Sequence, residues 1–226
     1  MKTVTAKREG MLRDALVEEG RLMFEQAGAT ELSMREIARR VGVSEAAPFK
    51  HFKGKEDLLA AIASSGFREL REARKKISGS ELDAFERARA MMHSYIGYAR
   101  AHEGLFNLMI GPRLSAYREG EFGDAGLESF TLFSNSIRAL ALEHGWPPDS
   151  LELLTHTAWA LEHGIATLLL AGVVPQRGSG LNVDELVAFS VGFLLRAIED
   201  GPRPNGRSTS AGTKRTTKAR AKLRGL

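Results

Sequence analysis

Ser33, Arg35, Ser44, Glu45, Ala46, Lys50, His51, Lys53 and Lys55 fall within one short run, SMREIARRVGVSEAAPFKHFKGK. Its six Lys and Arg outweigh two Glu, so the run suits a polyanion better than bond-breaking chemistry. Ser33 and Arg35, Ser44, and Lys55 sit at three expected helix starts, where free N–H groups and the helix dipole attract phosphate. His51 and Lys53 are placed to reach a nucleic-acid backbone as well. Lys50 can donate to guanine, Glu45 can accept from a cytosine amino group, and Ala46 can touch a thymine methyl. Glu45 also suits the first turn of a helix through the dipole alone, and both roles stay open.

Catalytic constellations are missing from the sequence. No G-x-S-x-G, P-loop or G-x-G-x-x-G pattern occurs. His156 and His163 lie seven apart around Trp159, wider than a metal pair such as H-E-x-x-H requires, and no carboxylate completes a ligand set. The expectation is therefore no catalytic residue, no metal and no cofactor. Cysteine is absent, which excludes a disulfide framework and Cys-ligated zinc and fits a reducing cytoplasm.

The polar run needs a scaffold, and its apolar residues describe one. Met34, Ile37, Ala38 and Val41 share a helical face, and Gly42 follows where a left-handed C-cap favours glycine. Ser33 is the expected cap of this helix, with Glu36 three residues on completing a capping box. Val43 plugs the corner, and Ser44 is placed to cap a second helix from Glu45 to about Phe52. This is the spacing of a helix-turn-helix, whose second helix enters the major groove. A supporting helix from about Lys7 to Ala27 carries Leu16, Val17, Gly20, Met23, Phe24 and Ala27 as one stripe, with Gly28 as its stop.

Gly42-Val43-Ser44, then Phe49-x-His51-Phe52, then Lys55-Glu56-x-Leu58-Leu59 resembles the DNA-binding segment of TetR-type transcriptional regulators. The likeness reaches back to Phe24 and Gly28. Two residues depart from it. Phe49 stands where the family usually has Tyr, so this DNA-facing position lacks a phenolic hydroxyl for a phosphate. Pro48 removes one helical hydrogen bond to the Ser44 carbonyl, so the second helix is expected to be short and distorted in its first turn.

The rest of the chain reads as helix, giving an all-α fold. A connecting helix covers residues 55–77; its charged later part (Arg68, Glu69, Arg71, Glu72, Arg74, Lys75, Lys76) reads as a solvated face. Further helices are expected over Leu82–Ala101, Gly104–Ile110, Leu127–Gly145, Ser150–Ala171 and Val183–Asp200, punctuated by Gly111-Pro112, Trp146-Pro147-Pro148 and Gly178-Ser179-Gly180. The organisation is then a DNA-binding head (1–54), the connector (55–77), a larger helical domain (78–200) and a basic tail (201–226). That tail holds eight Lys or Arg and no acid, which leaves the rest of this +4 chain at −4. It lacks the apolar residues to offset its ordering entropy and reads as disordered, a solvated end or a non-specific DNA tether. No apolar run is long enough to cross a bilayer, and no signal peptide is visible.

Met91, Met92, Tyr95, Tyr98, Phe106, Met109, Phe130 and Phe133 give the larger domain a cluster of aromatic and Met residues. Most such residues are core, but adaptable Met and amphipathic Tyr can also wall a cavity. Trp159-Ala160-Leu161-Glu162-His163-Gly164 looks like the Trp…His-Gly signature of one TetR C-terminal subgroup. That resemblance implies a small-molecule effector site, here expected at Met91, Tyr95, Tyr98, Phe106, Met109 and Phe130, closed by Trp159 and His163. Its lining implies a largely hydrophobic ligand. The last two helices are apolar on more than one side, and Ala160 and Gly164 would permit close approach. A homodimer through Ala160, Gly164, Leu168, Val187, Val191, Leu194 and Leu195 is expected, matching a palindromic double-stranded operator. The resulting expectation is a cytoplasmic repressor released from its operator by an effector. A ligand-independent or activating regulator, or an architectural protein working through the basic tail, is the alternative.

Overall fold

The computed structural model of the protein describes residues 2–174 and 180–202, and all regular structure among them is helical. The helices are α1 (Lys2–Glu31), α2 (Met34–Val41), α3 (Lys55–Ser78), α4 (Ala84–Ala101), α5 (Glu103–Ile110), α6 (Glu121–Glu143), α7 (Leu151–Leu170) and α8 (Val183–Glu199). Short 3-10 turns cover Pro48–Lys50, Pro112–Tyr117 and Pro148–Ser150, each opening on a proline that fixes φ and has no N–H to place. The basic tail from residue 203 and the Gly178-Ser179 part of the expected break lie outside the described residues.

The head forms as its capping residues dictate. Ser33 has extended backbone, and its Oγ accepts the Glu36 N–H at 3.4 Å. Gly42 takes φ 78°, and the chain turns with Val43 N–H on Ala38 O (2.9 Å) and Gly42 N–H on Arg39 O (3.2 Å). This is a Schellman closure, and a Cβ at position 42 would strain it. Three expectations need correcting here. Glu36 does not complete a capping box; its carboxylate is held by Arg39 (2.5 and 2.8 Å) and Arg40 (3.0 Å). α1 does not stop at Gly28 but continues to Glu31.

The third correction matters most. Residues 45–52 are not an α-helix. The Ser44 carbonyl accepts the Ala47 N–H at 2.9 Å in a tight turn, and a 3-10 turn follows at Pro48–Lys50. Pro48 cannot donate to Ser44, and its ring crowds the α geometry four residues back. The distortion expected for one turn therefore spreads through the whole segment. Regular bonding resumes only with Phe52 N–H on Pro48 O at 2.9 Å.

One apolar core underlies the head: Leu16, Phe24, Ile37, Phe52, Leu58, Leu59 and Ile62 are buried together, and the same cluster continues into Leu105, Leu108, Met109, Leu114 and Phe122. A second cluster binds α4, α6, α7 and α8 around Met91, Met92, Phe133, Ile137, Val191 and Leu195. α3 runs along both, starting under the head and ending beside α6 and α4. The expected helix at Leu127 begins six residues earlier, at Glu121, since Gly120 at φ 98° ends the preceding turn.

Candidate nucleic-acid interface and internal cavity

Ser33, Arg35, Ser44, Glu45, Ala46, Phe49, Lys50 and Lys53 are all exposed, on the two ends of α2, the turn and the 3-10 segment; His51 and Lys55 are half-buried. The sequence-selected residues are thus at least partly accessible to solvent. Arg35 and Glu45 face each other across the turn at 3.5 Å, both largely exposed. Phe52 is buried beneath the Arg13 guanidinium, 5.5 Å from its ring centre. Phe49 projects outward with 56% exposure, a large apolar group beside the polar ones. At the start of α3 the Asp57 carboxylate accepts the Lys53 N–H at 2.9 Å, and Glu56 takes a two-pronged ion pair from Arg113 at 2.7 and 3.0 Å. That guanidinium holds the Glu56 carboxyl below the usual carboxylate range. It also ties the head to the loop before α6.

A cavity of about 450 Å³ lies between α3, α4, α5, α6 and α7. Of the expected lining, Tyr95, Met109, Phe130, Trp159 and His163 border it. Three expected residues do not. Phe106 is fully buried behind Tyr95, edge-on at 5.2 Å. Met91 belongs to the core under α6 and α8. Tyr98 points toward the head, where its hydroxyl donates to Glu69 at 3.2 Å and its ring lies against His102. The cavity instead gains Phe67, Leu70 and Arg74 from α3 and Phe122 and Leu127 from α6.

Arg74 overturns its expected place on a wet surface. It is 2% exposed, with its guanidinium between the Tyr95 and Phe133 rings (5.4 and 5.3 Å). Its Nη1 donates to Ser129 O and Oγ at 3.1 and 3.3 Å, and its Nη2 to Glu162 Oε1 at 3.2 Å. Glu162 is itself completely buried, and its Oε2 has no partner. Burial pushes its carboxyl above the usual range, against the pull of Arg74. Nearby, the Tyr95 hydroxyl and His163 Nδ1 are 2.9 Å apart; burial raises the phenol and lowers the imidazole. The inward placement of each residue, though not their pairing, had a signal: Phe67, Leu70, Arg74 and Ile77 form one stripe on α3, and Thr155, Ala158, Glu162 and Ala166 one stripe on α7.

The expected dimer residues divide. Ala160 and Leu168 are exposed, and Gly164 and Leu194 partly so. Val187, Val191 and Leu195 are not available to a second copy, because they face inward and are 4%, 0% and 0% exposed. The outer face of α8 instead carries Phe189 and Phe193, 73% and 70% exposed and stacked at 6.1 Å.

Comparison with known proteins adds the following. Residues 16–62 match the family described as bacterial regulatory proteins, tetR family, and residues 88–194 match the tetracyclin repressor-like C-terminal domain. A nucleoid occlusion factor SlmA from Vibrio campbellii is 29% identical over 110 residues, 49% of this chain and 54% of that protein. The chain thus spans about half the length of the curated relatives it matches. A protein of unknown function from Rhodococcus sp. RHA1 superposes with a TM-score of 0.69 at 31% identity, over 82% of this chain and 94% of that one. The fold is also that of the transcriptional regulator FadR from Bacillus subtilis, solved with stearoyl-CoA (TM-score 0.61, 11% identity, 80% and 96% covered).

Proposed function

We propose that this chain, which belongs to the TetR family of bacterial regulatory proteins, is a repressor that binds a palindromic operator and leaves it when a largely hydrophobic effector fills the cavity. The observation that carries the reading is the path of α3. One uninterrupted helix starts at Lys55 beside the DNA-facing residues and supplies Phe67, Leu70 and Arg74 to the cavity wall. A ligand that displaces those side chains moves the lever on which the head sits. It acts only if it favours a head arrangement different from the one successive major grooves need.

Two copies would pair through the outer faces of α7 and α8, with Phe189, Phe193, Leu168, Ala160 and Gly164 toward the partner. An exposed stacked Phe pair is the kind of apolar surface that marks an interface. Sedimentation of a stable monomer at micromolar concentration would contradict this.

In the head, Lys50, Ala46 and Glu45 read base edges, and Arg35, Ser33, Ser44, His51, Lys53 and Lys55 hold phosphates, with Phe49 exposed among them. The test is selection of binding sites from random duplexes, followed by ligand titration of the winning operator. A palindromic consensus released by an apolar ligand supports the proposal. A consensus that no cavity-binding ligand releases would favour a ligand-independent regulator, and no consensus at all an architectural protein.

A further inference from the structure

The cavity has a chemistry that its apolar walls leave unexplained. Arg74, Arg118, His156 and His163 line it, and no Asp or Glu does. Arg74 is almost wholly buried, yet its Nε has no hydrogen-bond partner. Its other nitrogens are committed to Ser129 and Glu162. A hydrocarbon occupant would leave that Nε–H dry and unpaired, which interiors avoid. A cationic occupant would meet the two guanidinium groups first, because the Glu162 carboxylate lies behind Arg74 and is not among the lining residues. On the Arg74 side, which lines the cavity, an acceptor, best an anionic one, completes the site.

We propose that the cavity takes an amphipathic carboxylate, its anionic end on Arg74 and its apolar body among Phe67, Phe122, Phe130 and Trp159. This inference rests on the reading of the cavity as the effector site. Arg74 already shares its charge with Glu162, so a singly charged planar head fits better than a phosphate dianion, which needs several cations. The raised carboxyl of Glu162 works in the same direction: on protonation it cedes the guanidinium charge to the ligand. Arg118, exposed beside the cavity, supplies a second positive charge for an anion on its way in. The lining by Phe67, Phe122 and Gly126 is apolar. At Gly126 a Cβ would come to 3.5 Å from the Phe67 ring, in ordinary contact, so a larger side chain there would fill the space between α6 and that ring.

The test uses the full chain and three matched sets of probes: decanoate, decanamide and decylamine; 2-naphthylacetate and its amide; and decyl phosphate. Binding is read by calorimetry and thermal shift. Each carboxylate should bind about tenfold or more tightly than its amide, as a charge-assisted bond predicts. In Arg74→Gln/Glu162→Gln, which removes both charges together, that preference should fall below about threefold while the amides keep their affinity. Gly126→Leu should exclude every probe. An amide, amine or phosphate that binds wild type as well as the carboxylate overturns the proposal, as does failure of both carboxylates to bind at millimolar concentration. If Gly126→Leu excludes the probes and the headgroup preference is absent, only the headgroup assignment fails. Should ligands release the operator from Gly126→Leu as from wild type, the effector-site reading itself falls.

Discussion

The head and the cavity wall use charge in opposite ways. On the head, Arg39, Arg40 and Glu36 pair across one turn of α2, and Arg35 meets Glu45 across the corner, all close to solvent. In the larger domain, Arg74 and Glu162 meet across 88 residues of chain with 3% and 0% of their side chains exposed. A surface pair gains little and is easily exchanged, so its cations remain available to phosphates. A buried pair is costly to desolvate and ruinous to halve, so it fixes one arrangement of α3 against α7. The same side chains thus serve as replaceable contacts in one region and as a fixed joint in the other.

The largest effect that separates the two regions comes from halving the buried pair. Arg74→Met leaves Glu162 buried and alone, and urea unfolding at pH 9, where the native carboxyl is ionised, should show a loss of about 3–5 kcal/mol. Arg74→Met/Glu162→Leu should recover most of it. If the single and double variants are equally unstable, the site's value is packing and not charge.

On the head, Lys50→Ala should leave stability within about 0.5 kcal/mol. Its cost appears in DNA binding, as a relaxed preference of roughly 1–3 kcal/mol at one operator position, read by competition among single-base variants. An equal loss on all sequences would make Lys50 a phosphate contact. Gly42→Ala should cost about 1–2 kcal/mol in thermal unfolding, because φ 78° is strained for a residue with a Cβ. Glu56→Gln breaks the exposed pair with Arg113, and stability should change by less than about 1 kcal/mol. Operator release should nonetheless need more ligand, since that pair joins the head to the loop before α6.

The buried pair also predicts a pH slope. Glu162 takes up its proton more readily folded than unfolded, so its contribution is greatest at low pH and declines as pH rises through the raised native value, about 8. The melting temperature of Glu162→Gln should lack this part of the slope between pH 5 and 8.5.

What could be read in the sequence follows from how far apart the interacting residues lie. The Ser33 cap, the Gly42 turn and the exposed basic face depend on neighbours within five residues, and their residue types announce them. Pro48 was visible too, but its reach was underestimated: one missing N–H was expected to distort a turn, and the whole segment left the α form. Arg74 sits in a run of charges, which reads as solvated face. Only the stripe of Phe67, Leu70 and Ile77 around it places it inward, and nothing local pairs it with Glu162. Val187, Val191 and Leu195 show the same limit on α8. A helix apolar on two sides does not declare which side meets its own core, and here Phe189 and Phe193 take the outer one.

The most direct test of the account is the distance between the two heads with the cavity empty and filled. The chain has no cysteine, so Ala46→Cys gives one spin label per protomer at an exposed position. Double electron–electron resonance on the ligand-free dimer should give a separation near the roughly 34 Å of successive major grooves. Saturation with 2-naphthylacetate should shift that distance by several ångströms, and Gly126→Leu should abolish the response. A ligand that occupies the cavity, is excluded by Gly126→Leu and yet leaves the head-to-head distance unchanged would contradict the coupling through α3.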